Sequence, residues 1–151
     1  MERTLRIIVA VLLIAAPLGY YVHMKSTQND PREVHMNTQE SKLAVLWTSG
    51  DRDVALKMVF MYTFNAKKNG WWDEIQFIVW GPSSKLLSED RELQDYIKRM
   101  KDEGIELLAC KACADSYGVS DNLTGLGIEV KYMGVPLTDL IKSGEWKTVT
   151  F

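Results

Sequence analysis

Leu43-Ala44-Val45-Leu46-Trp47 is an unbroken apolar run, closed by Thr48-Ser49-Gly50-Asp51. A strand that is apolar on both faces belongs in a parallel sheet with helices above and below it. A helical stretch follows over residues 52–68 and ends at Gly70. Ile75-Gln76-Phe77-Ile78-Val79-Trp80 then repeats the buried-strand pattern up to Gly81-Pro82. Ser88 is placed to cap the next helix, with Glu89 and Asp90 suiting its positive start. Along that helix Leu93, Tyr96, Ile97 and Met100 share one face, and Gly104 stands where a C-terminal cap belongs. Residues 105–109, 128–132 and 147–151 read as the third, fourth and fifth strands, with a short helix over 137–142. The alternation predicts an α/β domain over residues 42–151: a three-layer α/β/α sandwich with a mostly parallel five-stranded sheet.

In such a sheet the strands point the same way, and ligands bind beyond their C-terminal ends. Four loops meet there, at residues 48–51, 80–83, 110–113 and 133–135. The first helix carries two apolar stripes, Val54-Met58-Met61 and Leu56-Phe60-Phe64. One stripe is enough to cover a sheet. The second predicts burial against another subunit, unless neighbouring helices of the same chain cover it.

The 151 residues precede any such assembly with a different kind of segment. Arg3 and Arg6 lead into an apolar run over residues 7–22, and Lys25 opens a polar stretch. This is the order of a signal peptide or signal anchor. Pro17 spoils the small-residue cleavage pattern at Ala15-Ala16, while the run is slightly shorter than the roughly 20 residues that span a bilayer comfortably. Residues 1–24 are therefore read as an apolar anchoring helix or a cleaved signal, and residues 25–41 as a polar linker. With the arginines on the cytoplasmic side, the domain faces the periplasm or exterior. Met24 and Met36 are alternative starts, which would leave it cytoplasmic. A net charge of -2 and no basic stripe speak against a nucleic-acid partner.

Cys110-Lys111-Ala112-Cys113 is the reactive candidate, a C-x-x-C where a strand gives way to a helix. A helix start and an inward-pointing Lys111 would lower a thiol's pKa and make a nucleophile. Three kinds of chemistry fit the spacing unequally. Zinc wants about four ligands, and the only histidines, His23 and His35, precede the domain, so no metal or other cofactor is expected. The same lack of histidine removes a Ser–His–Asp hydrolase. A dithiol–disulfide switch and a persulfide-carrying thiol both remain, as does a pair of small buried core residues. Ser49 and Gly50 offer an anion-binding or merely capping turn. Trp80, Gly81 and Lys111 flank the same edge as ligand candidates, and Trp47 and Trp80 either wall a pocket or pack in the core.

The succession of the early helix, Ile78-Val79-Trp80-Gly81-Pro82, Gly104-Ile105, Cys110 with Gly118 eight residues later, and Gly134-Val135 resembles the DsrE/DsrF-like family of small sulfur-metabolism proteins. The resemblance implies the DsrEFH-like sandwich and assembly into trimers or hexamers. It also implies a relay in which Cys110, at the end of the third strand, carries persulfide sulfur between a donor and an acceptor protein. Cys113 belongs to a C-x-x-C variant found in looser relatives. The N-terminal segment departs from the pattern, because the familiar relay members act in the cytoplasm.

Overall fold

The computed structural model describes residues 40–151; the expected anchor or signal over residues 1–24 and nearly all of the expected linker lie outside the described residues. Five strands, β1 (Lys42–Trp47), β2 (Glu74–Val79), β3 (Glu106–Cys110), β4 (Glu129–Lys131) and β5 (Trp146–Thr150), form one sheet. Every pair is parallel, in the order β4-β3-β2-β1-β5.

That order follows from crossover handedness. The chain steps from β1 to β4 in one direction, and right-handed crossovers then keep the intervening helices on one face. They are α1 (Arg52–Val54), a π-helical segment (Ala55–Phe60) continuing into α2 (Met61–Lys68), then α3 (Pro82–Glu89), α4 (Arg91–Asp102), α5 (Lys111–Tyr117) and α6 (Ser120–Gly125). The return from β4 to β5 reverses direction, so α7 (Gly134–Ser143) crosses the opposite face. Alternating residues of each strand separate accordingly. Val45, Trp47, Phe77, Val79 and Leu107 pack under the helix-rich face, and Ala44, Ile78, Leu108 and Cys110 under α7.

The π-helical segment resolves the two stripes of the first helix. A widened turn brings the adjacent Val59 and Phe60 both inward, together with Ala55, Thr63 and Ala66. Phe60 meets Trp47 at 4.9 Å, Phe77 at 5.3 Å and Tyr96 at 5.4 Å between ring centroids. Phe64 leans on Tyr96 at 5.7 Å. Tyr96 of α4 thus covers the Phe60–Phe64 stripe from within the same chain. Met58 and Met61 stay exposed.

Other boundaries move from the sequence expectation for local reasons. Pro82–Glu89 is a helix with Pro82 in its first turn, where the missing N–H costs nothing. Ser88 therefore sits inside a helix end, donating to the Lys85 carbonyl. The cap of α4 is instead Asp90, whose carboxylate accepts from the Leu93 N–H at 3.1 Å. Gly104 closes α4 as expected, with the Ile105 N–H reaching back to the Met100 carbonyl. The third strand runs one residue later than the expected 105–109, and Cys110 becomes its last residue.

Candidate thiol site

Cys110 ends β3 opposite Lys131 of β4, at the C-terminal edge of the sheet. It is 4% exposed and packs with Ile78, Leu108 and Met133. Cys113 lies in the first turn of α5 and is half-buried, in the same apolar cluster as Trp80. Both cysteines are free thiols. Each sulfur lies close enough to act on the other, and the Gly81 N–H acts on the Cys113 sulfur.

These neighbours change the expected acidity. Burial pushes the Cys113 thiol above the ordinary range, and the nearby Cys110 adds to the shift; the Gly81 N–H only partly opposes them. The expectation of a lowered pKa at this helix start is corrected for Cys113. Lys111 gives no relief, because its ammonium pairs with Asp115 at 2.6 Å along the same helix. That bond raises the Lys111 pKa and holds Asp115 below the usual carboxylate range. Ser120 also donates to Asp115, at 2.6 Å.

Gly81 is shaped for its place. Its φ of 69° and ψ of -135° form a backbone conformation open essentially to glycine. The turn is secured by Ser83, a fully buried hydroxyl that the sequence reading did not single out. Its Oγ donates to the Trp47 carbonyl at 2.7 Å, joining the ends of β1 and β2. The Trp80 N–H is shared between the Trp47 carbonyl and Ser83 Oγ, at 2.9 and 3.1 Å. A serine four residues after a strand is a common turn residue, and only the fold shows what this one stitches.

The remaining candidates divide. Trp80 is half-buried beside the thiols, whereas Trp47 is fully buried on the other face and packs in the core. The Ser49-Gly50 turn serves as a cap. Ser49 Oγ accepts from the Asp51 N–H, and the Asp51 carboxylate accepts from the Asp53 and Val54 N–H groups. Those N–H groups are thereby taken by the chain's own anion. Gly50 packs close to Pro82, where a Cβ would come within 3.2 Å of the proline side chain.

A cavity of about 630 Å³ lies away from the thiols, between the first helix and β1–β5. It belongs to the opposite face of the sheet and plays no part in the site. Among the described residues no group of three or more His, Cys, Asp or Glu side chains is arranged to hold a metal. No helix among them is long and apolar enough to cross a membrane.

The sequence profile of the DsrE/DsrF-like family matches residues 48–151. Among solved structures, a conserved protein of unknown function from Bacteroides thetaiotaomicron is 41% identical, with a TM-score of 0.71. That match covers 74% of this chain and 95% of the other. The ychN protein of E. coli is 14% identical with a TM-score of 0.57, covering 74% and 99% of the two chains. A protein of unknown function from Methanobacterium thermoautotrophicum is 16% identical with a TM-score of 0.59, covering 74% and 100%. The last two share the fold. No curated protein matches the chain significantly.

Proposed function

The chain belongs to the DsrE/DsrF-like family, and from that premise we propose that it handles sulfane sulfur, with Cys110 as the thiol that takes it up and passes it on. The observation that carries this reading is the position of Cys110. It is the last residue of a central strand, at the edge where ligands of such sheets bind, with a second thiol beside it.

The chemistry balances without a cofactor. The Cys110 thiolate attacks the outer sulfur of a hydropersulfide or polysulfide; a new S–S bond forms as the donor's S–S bond breaks, and the donor leaves as a thiolate or, from a polysulfide, as the anion one sulfur shorter. A partner thiolate then takes the outer sulfur by the same exchange. Alternatively, Cys113 attacks the Cys110 sulfur and displaces sulfide. That step reduces the sulfane sulfur, oxidises the two cysteines to a disulfide, and needs an external dithiol to reset the pair. Burial of Cys110 favours a small donor over a second folded protein at the loading step.

Incubation of the protein with a polysulfide, followed by intact-mass measurement, tests the reading. Wild type is expected to gain the mass of sulfur and Cys110→Ser to gain none. Equal gain in both would refute it. A dithiol oxidoreductase is the second reading, favoured by the contact between the thiols. It predicts a disulfide that cycles with a dithiol buffer and no sulfur mass.

The proposal extends to the setting of the domain. Residues 1–24 anchor it to a membrane with the domain on the outer side, supported by Arg3 and Arg6 ahead of the apolar run. Copies associate through the exposed Met58 and Met61. Sedimentation of Met58→Lys, expected to shift toward monomer, tests that association.

A further inference from the structure

The turn between α2 and β2, Lys67-Lys68-Asn69-Gly70-Trp71-Trp72, has no part in the thiol chemistry, and its composition is unusual for a surface turn. It is a fixed structure. Gly70 has a φ of 64°, and the Trp71 N–H returns to the Ala66 carbonyl at 2.9 Å. Trp72 is half-buried, its indole N–H donating to the Tyr62 hydroxyl at 3.2 Å. Trp71 is 57% exposed, its ring leaning on Tyr62 at 6.3 Å beside the mouth of the 630 Å³ apolar cavity. Lys68 is exposed and, among the described residues, enters no ion pair. The nearby carboxylates are already engaged, Asp73 by Ser41 and Glu74 by Lys42.

Two observations name the occupant of this surface. The first is chemical: tryptophan with flanking lysine is the pairing that settles at the level of lipid headgroups, ring inward and ammonium toward phosphate. The second is the path of the chain. Ser41 gives the Asp73 carboxylate two hydrogen bonds, from its N–H at 2.7 Å and its hydroxyl at 2.8 Å. The described chain therefore starts its path through the domain at Ser41, held to Asp73, which follows Trp71 and Trp72 in sequence. Residues 25–40 can reach no further than about 55 Å even when fully extended. An anchored domain would thus stay within that reach of the bilayer, with this turn near the start of the described chain.

We propose that residues 67–72 dock on the phospholipid interface, Trp71 entering at headgroup depth and Lys68 facing anionic phosphate. The proposal rests on the anchoring role of residues 1–24. Docking here leaves the thiols open, because residues 67–72 precede the start of β2 whereas Cys110 ends the parallel strand β3 and Cys113 follows it, at the opposite edge of the sheet. The membrane then sets the orientation of the domain as well as its location.

All five tryptophans, Trp47, Trp71, Trp72, Trp80 and Trp146, lie in the described domain, so their fluorescence reports on the domain alone. The full chain is reconstituted into vesicles of phosphatidylcholine with a minority of phosphatidylglycerol, with and without brominated lipid. Flotation of the protein with the vesicles reports the anchor. Quenching by brominated lipid, at least about halved in Trp71→Phe and weakened by salt or Lys68→Ala, reports the docking. Protein that floats without quenching overturns the docking while leaving the anchor intact. Quenching unchanged in Trp71→Phe overturns it too. Failure to float overturns both. A Trp71→Phe change that shifts oligomeric state without altering quenching would give the surface to a second copy instead.

Discussion

The two faces of the sheet divide stability from chemistry. Under the helix-rich face, Trp47, Phe60 and Phe77 are fully buried and meet edge to face or tilted within 6.0 Å, closed off by Leu93, Ile97 and Met100 from α4. Under α7 the cluster is small: five buried residues, one of them Cys110. Helix α7 itself has no buried residue, and Val135 and Ile141 on it are exposed. Handedness makes this difference. Three crossovers in one direction load one face, and a single return crossing leaves the other thinly covered. A thiol on the thin face can be approached without opening the core.

If the division is real, damage to the two faces should have separable consequences. Phe60→Ala is the largest blow, since it empties the centre of the aromatic cluster. It is expected to cost about 3–5 kcal/mol of stability, read by urea denaturation. The alkylation rate of Cys113, measured well below the transition, should stay unchanged. A changed rate would mean that the faces are coupled.

Gly81→Ala probes the seam between them. A Cβ there meets nothing within 4 Å, so the cost is conformational rather than steric. Holding alanine at that φ and ψ costs about 1–3 kcal/mol. Because the Gly81 N–H lowers the Cys113 pKa, any shift of the turn should also move the thiol's alkylation midpoint upward. Destabilisation with an unmoved midpoint would show that the N–H does not reach the sulfur.

Asp90 belongs wholly to the helix-rich side. Burial works against its ionisation, but bonds from the Leu93 N–H and Arg52 outweigh it and hold the carboxyl below the usual carboxylate range. A depressed carboxyl contributes stability above its unfolded pKa, near 4, and that contribution is lost as pH falls through the folded value. Asp90→Ala should cost about 0.5–2 kcal/mol at neutral pH, as other caps do. The difference from wild type should shrink in acid. An unchanged difference at low pH would assign the loss to packing.

The sequence made the helix-rich face more legible than the thiol site. Leu43 to Trp47 and Ile75 to Trp80 are patterned by burial alone, so their reading survived translation into three dimensions with shifts of a residue. The π-helical segment was hidden, because a regular period forces Val59 and Phe60 onto different faces. Helix α3 was hidden too: Ser83 and Ser84 are buried polar residues, and Pro82 reads as a breaker unless its first-turn place is known. At the site, Cys110 and Cys113 could be placed at the right edge from strand endings. Their acidity could not, since it depends on Gly81 from another loop and on a Lys111 rotamer committed to Asp115.

The smallest effect expected is also the most local. Cys113 is held above the ordinary thiol range by burial first and by Cys110 second. Cys110→Ala removes the partner sulfur and its charge but leaves most of the burial. The pH midpoint for alkylation of Cys113 should therefore fall, yet remain above that of a free cysteine. This is the opposite direction to Gly81→Ala, and the two variants together bracket the thiol between its two neighbours. A midpoint indifferent to Cys110→Ala would mean that the thiols do not touch. The resolving step assigned to Cys113 would then lose its geometric basis, while persulfide loading on Cys110 would stand untouched.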